Sequence, residues 1–121
     1  MTTQEIANRY TQLANQSKWE DILDELHADN AVCREPEHVA QRGLPILTEG
    51  KAAIKAKGAK NRTLIETIHS QFVSEPIVAG NFFTVALKRD VTFKDRPRVQ
   101  LEEIGLFQVM DGRIILEEFY Y

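Results

Sequence analysis

The amino-acid sequence predicts an α+β fold, a cone-like α+β barrel in which helices pack on one face of a curved antiparallel sheet. Two observations predict it. Apolar residues recur with the 3.6-residue period of helices up to about His27 and with the two-residue period of strands from Ala31 onward. Three turn signals, Gly80-Asn81, Lys94 to Pro97 and Asp111-Gly112, then cut the second half into long runs joined tightly enough to lie antiparallel. At 121 residues the chain has the length of one domain, residues 1–121, and it holds no repeat, linker or low-complexity stretch.

Thr2 with Glu5 has the spacing of a capping box, and Ile6, Tyr10, Leu13 and Ala14 then share one helical face. A second such box, Ser17 with Glu20, opens a shorter helix bearing Trp19, Ile22, Leu23 and Leu26 on one stripe, so residues 3 to 27 form a helical hairpin. Ala31 to Glu35 reads as a short strand ended by Pro36, which biases Glu35 toward extended geometry. Val39 to Arg42 is a further strand candidate before the turn Gly43 to Pro45. Alanines and lysines favour helix from Glu49 to about Lys60, weakened at its end by Gly58. Strands follow over Thr67 to Ala79, Phe82 to Phe93, Arg98 to Met110 and Arg113 to Tyr121, with a bend or bulge at Pro76.

Apolar residues make up 43% and charged residues 27%, enough to bury a core. A net charge of −3 argues against a dedicated nucleic-acid partner. Cys33 is the only cysteine and forms no internal disulfide, and no apolar run has the length of a signal peptide or membrane span. A soluble, cytoplasmic protein is expected. The sequence has no phosphate-binding loop, dinucleotide fingerprint or nucleophile elbow, and His27, His38 and His69 lack ligand spacing, so neither cofactor nor metal is expected.

The RY pair of the first helix, the helix SKWEDILDEL, the segment LHADNAVCREP and the C-terminal EEIGLFQVMDGRIILEEFYY together resemble the nuclear transport factor 2-like superfamily, in particular its SnoaL-like branch, and more distantly ketosteroid isomerase. The resemblance implies a pocket between sheet and helices, often a dimer built on the sheet, and functions ranging over isomerases, polyketide cyclases, dehydratases and binding proteins. It places Glu35 where ketosteroid isomerase has its base and Tyr10 where it has the tyrosine that donates to the enolate. The third group, a protonated acid, aligns with Gly105, which departs from the pattern.

Alternation sets Leu101, Glu103, Gly105, Phe107 and Val109 on one face of their strand. Glu103 then points inward, as a functional acid or as one satisfied by a nearby Arg or Tyr. The expected pocket is lined by Tyr10, Trp19, Glu35, Glu103 and Phe107, with His38 and His69 as further substrate-binding candidates or simply as rim residues. His27, at a helix C-terminus, reads as structural, and Cys33 as a small buried hydrophobe. Lys51, Lys55, Lys57, Lys60 and Arg62 form either a solvated face or a lip that attracts an anion. Ile104, Leu106, Leu116 and Tyr120 alternate away from the pocket and suit a homodimer face. Three functions stay open: proton transfer on a carbonyl compound with Glu35 as base and Tyr10 as donor; noncatalytic binding of a small apolar or weakly anionic molecule; and association through the sheet.

Overall fold

The structure, a computed structural model, describes residues 1–121. Helix α1 spans Thr3–Asn15 and starts on the expected cap: Thr2 Oγ1 accepts from the Glu5 amide at 3.1 Å, and Glu5 Oε1 accepts from the Thr2 amide at 2.9 Å. The second cap does not form. Helix α2, Trp19–Leu26, begins after Lys18 with no side-chain cap. Ser17 instead takes a left-handed φ of 56° to turn the chain, its hydroxyl accepts from Gln71 Nε2 at 3.1 Å, and Glu20 faces Arg62. A short helix–helix connection needs a residue at positive φ, and that demand outweighs the capping spacing.

Strand β1, His27–Arg34, follows directly. Residues Glu37–Arg42 form a 3-10 helix where the sequence offered a strand. Pro36 supplies the fixed φ that starts such a turn, Gly43 at φ 74° ends it, and Val39 is its one buried side chain, so strand alternation had nothing to act on. Strand β2, Leu47–Glu49, leads to helix α3, Lys51–Thr63, and then to β3, Ile65–Val73, and β4, Ile77–Ala79. The expected bend at Pro76 is the gap between β3 and β4, where Ser74 Oγ accepts the Ala86 amide at 2.8 Å. Strands β5, Phe82–Phe93, β6, Arg96–Met110, and β7, Arg113–Tyr120, complete the chain, and Asp111 and Gly112 both take positive φ in the last hairpin.

The sheet order is β2-β1-β7-β6-β5-β3, with β4 also paired to β5. Every pair is antiparallel except β1 with β7, which is parallel; the expectation of a wholly antiparallel sheet is corrected there. No hairpin joins these two strands, so no tight turn dictates their relative direction. The sheet is curved but open, since β2 and β3 are edges that do not meet, and the cone is not closed into a barrel. Helices cover its concave face. The core there centres on Tyr10, Phe83 and Phe107, with ring centroids 4.6–5.8 Å apart. Burying each such side chain contributes roughly 1.5–3 kcal/mol. A smaller cluster, Leu23, Ala31, Cys33 and Ile54, seats α3 on β1.

Candidate functional site

Beyond that core the concave face turns polar. Strand register places Cys33 of β1, Glu117 and Phe119 of β7, Glu103 and Phe107 of β6, and Leu87 and Arg89 of β5 on this face. Glu117 is buried and bonds His27, which is only 1% exposed, through Nε2 at 2.8 Å. His27 is therefore structural, as expected at the C-cap of α2, with a carboxylate partner that the sequence reading did not supply. An acid alternating with Phe119 on an inward face was the available signal, because a buried carboxylate requires a donor.

At the end of β1, Glu35 Oε2 accepts from the Tyr121 hydroxyl at 2.9 Å and Oε1 accepts from Lys57 Nζ at 3.3 Å. Lys57 also approaches Cys33 Sγ at 3.2 Å. Burial pushes the Cys33 thiol far above its ordinary range, so it stays protonated and is no nucleophile. Burial opposes the Lys57 charge, but its hydrogen bond to the Cys33 sulfur and its contact with the Glu35 carboxylate outweigh burial and hold the ammonium above its usual value. The Tyr121 hydroxyl is raised by burial and then by the charge and hydrogen bond of Glu35. His38 Nε2 bonds the Tyr121 carbonyl oxygen at 2.8 Å, so His38 reaches Glu35 through Tyr121.

Glu103 has no such partner. Burial pushes its carboxyl up to about 7, the charges of Glu35 and Glu117 add to the shift, and Arg89 opposes it. Tyr10 is likewise raised, chiefly by burial and then by Glu117 and Glu103.

Two hollows open near this face. The larger, about 360 Å³, is lined by Arg62, Ile65, Glu66, Ile68 and Arg89. The smaller, about 170 Å³, lies at the end of β1 and is lined from both faces of the sheet, by Glu35, Pro36, Ile46 and Phe119 and by Arg34, Glu118 and Tyr120.

A family model for the SnoaL-like domain matches residues 1–121. The chain belongs to the SnoaL-like family. A Mesorhizobium loti crystal structure, whose name gives both SnoaL-like polyketide cyclase and carbohydrate phosphatase, is 33% identical over 100% of both chains, with a TM-score of 0.90. A nuclear transport factor 2-like protein of unknown function from Burkholderia pseudomallei is 18% identical over 100% of this chain and 92% of its own, with a TM-score of 0.80. A Catenulispora acidiphila protein with a ketosteroid isomerase-like fold, crystallised with trimethylamine, is 17% identical over 84% of this chain and 73% of its own, at a TM-score of 0.67. No curated protein sequence matches.

In this SnoaL-like chain Tyr10 and Phe107 pack against each other in the core and line neither hollow, Trp19 is half-buried against the same core, and Glu35 lines the smaller hollow. His69 bonds Thr92 Oγ1 at 2.8 Å, apart from Glu35 and Glu103. The basic run of the SnoaL-like α3 is mostly a set of ion pairs: Lys51 with Asp29, Lys55 with Asp24, Lys57 with Glu35 and Arg62 with Glu20. Gly105 is closed by packing, since a Cβ there would lie 2.9 Å from the Phe107 ring and 3.3 Å from the Phe119 ring.

Proposed function

We propose that this SnoaL-like protein is a cofactor-free enzyme that moves a proton on a small carbonyl compound held at the concave face, with Glu103 as the exchanging group. The observation that carries the reading is an inward carboxyl without a hydrogen-bond partner whose pKa, about 7, allows both protonation states near neutral pH. Glu35, the base suggested by the resemblance, is already engaged by Lys57 and Tyr121, so its role is a fixed negative charge beside the reacting group. Tyr10 gives up no proton, because burial keeps its hydroxyl neutral, and it stays packed in the core against Phe83 and Phe107. Of the two activities in the M. loti protein's name, polyketide cyclase agrees in reaction type, since aldol cyclisation begins with loss of a proton beside a carbonyl, and carbohydrate phosphatase does not.

The test is hydrogen–deuterium exchange at the α-carbon of aryl ketones and cyclic 1,3-diketones in D2O, followed by NMR. Wild-type protein should accelerate exchange for at least one, and Glu103→Gln should lower that rate by roughly 100-fold while folding is retained. Exchange no faster than in buffer across the panel, or undiminished in Glu103→Gln, rejects the reading.

A second reading, association through the sheet, is favoured by one observation. Ile104 and Tyr120 are 46% and 52% exposed on the convex face, with Phe82 and Phe72 exposed as well. We propose a homodimer through this face; it is compatible with catalysis on the other.

A further inference from the structure

We propose that the hollow between the end of α3, β3 and β5 is a carboxylate subsite, in which Arg89, with Arg62, receives the acid group of a substrate whose body extends toward Glu103. The inference rests on the function proposed above and names its substrate class: aromatic or alicyclic carbonyl compounds that also carry a carboxylate.

Arg89 belongs to the inner-facing set of β5 with Phe83, Val85, Leu87, Val91 and Phe93, every other member of which is buried and apolar. An arginine in such a row needs a reason. It makes no ion pair and no side-chain hydrogen bond; Arg34 and Arg42 also lack them but are exposed to solvent, whereas Arg9, Arg62, Arg96 and Arg98 each have a carboxylate within 4.0 Å. A half-buried guanidinium with five unused donors costs solvation and is a ready fork for a planar anion.

The hollow supplies the rest. Its walls carry two guanidinium groups, Arg62 and Arg89, against one carboxylate, the exposed Glu66, and its remaining side chains, Ile65 and Ile68, are apolar. Arg62 is held over α3 by the absence of a side chain at Gly58, where a Cβ would sit 3.1 Å from Nη1. The hollow is open to solvent and about 360 Å³, room for the acid end of a substrate whose body lies outside it. Leu87 lies opposite Glu103 and Arg89 opposite Leu101, so Arg89 and Glu103 are diagonal neighbours on one face. Diagonal positions lie about 7–8 Å apart, a span that separates an acid group from a carbonyl α-carbon on the same small molecule.

The test compares biphenyl-4-carboxylate with biphenyl-4-carboxamide, which have the same shape and differ in charge, by NMR titration against wild type, Arg89→Gln, Arg89→Lys and Arg62→Gln. Wild type should prefer the carboxylate by about tenfold, as a charged hydrogen-bonded pair commonly gives. Arg89→Gln should bring that preference within about twofold without weakening carboxamide binding, Arg89→Lys should keep part of it, and Arg62→Gln should reduce it less. Equal binding of the two probes by wild type, or a preference that survives Arg89→Gln, overturns the subsite and leaves the proton-transfer reading standing. Failure of both probes to bind overturns the subsite as well. Loss of deuterium exchange in Glu103→Gln is scored separately, so the two proposals fail on different readouts. Should Arg89→Gln not fold, the same comparison in Arg89→Lys and Arg62→Gln decides.

Discussion

Glu103 couples the candidate site to pH. Its folded-state value of about 7 lies above the 4.5 of an unburied glutamate, so the folded chain binds more protons than the unfolded one between these values. Its contribution to stability is therefore fully present below about pH 4.5 and is lost as pH rises through 7. Glu103→Gln should remove that slope, raising stability at pH 8 by on the order of 1–2 kcal/mol once screening of a half-buried group is allowed for; urea melts at pH 5 and pH 8 check it. His27→Ala should destabilise the fold, because it strips the buried Glu117 of its 2.8 Å partner, and leaving such a group unsatisfied costs about 1–3 kcal/mol; the same urea melts check it. At this scale the sequence was readable wherever alternation held. It put Glu103 inward correctly. It did not join His27 to Glu117, because a contact across ninety positions has no local signature. Nor did it separate His69 from Glu35: a bulge between Ile68 and Ser70 shifts the register there, and period two no longer assigns the face.

Among the helices, only α3 carries a glycine in its interior, Gly58. Gly58→Ala should gain up to about 1 kcal/mol of helix propensity, offset in part because Arg62 must leave its place over residue 58. A small rise in Tm with a loosened Arg62–Glu20 pair is expected, and calorimetry beside the Arg62 side-chain NMR signals would show both. Thr2→Ala should cost about 1 kcal/mol through loss of the α1 cap. The analogous Ser17→Ala should leave the start of α2 unchanged, since Ser17 caps nothing. The two helix starts looked alike in sequence because spacing records only which residues are available. Tertiary demand decides their use: α1 begins after an unconstrained Thr2, whereas α2 begins after a forced turn.

For the whole molecule, the helical layer, the long meander and its hairpins were legible because periodicity and turn residues are local. The open edges and the parallel β1–β7 pair were not, since both depend on where distant strands meet. The same global arrangement leaves Ile104 and Tyr120 exposed on the convex face with Leu106 and Leu116 half-buried beside them, and light scattering at micromolar concentration should return twice the 13.8 kDa chain mass, reduced to that of one chain by Ile104→Glu. The β1–β7 pairing also sets a timetable for synthesis. Strand β1 ends at Arg34 and its partner begins at Arg113, so at ordinary translation speeds of about 5–20 residues per second roughly 4–16 s pass before β7 is made. During that interval the edge of β1 that β7 will fill stays open, since β2 pairs only the other edge, while α1 already has β3, β4 and β5 to pack on. Nascent chains stalled before Arg113 should thus be captured by chaperones and cut readily by protease, and resistance should arrive abruptly once the last strand clears the ribosome.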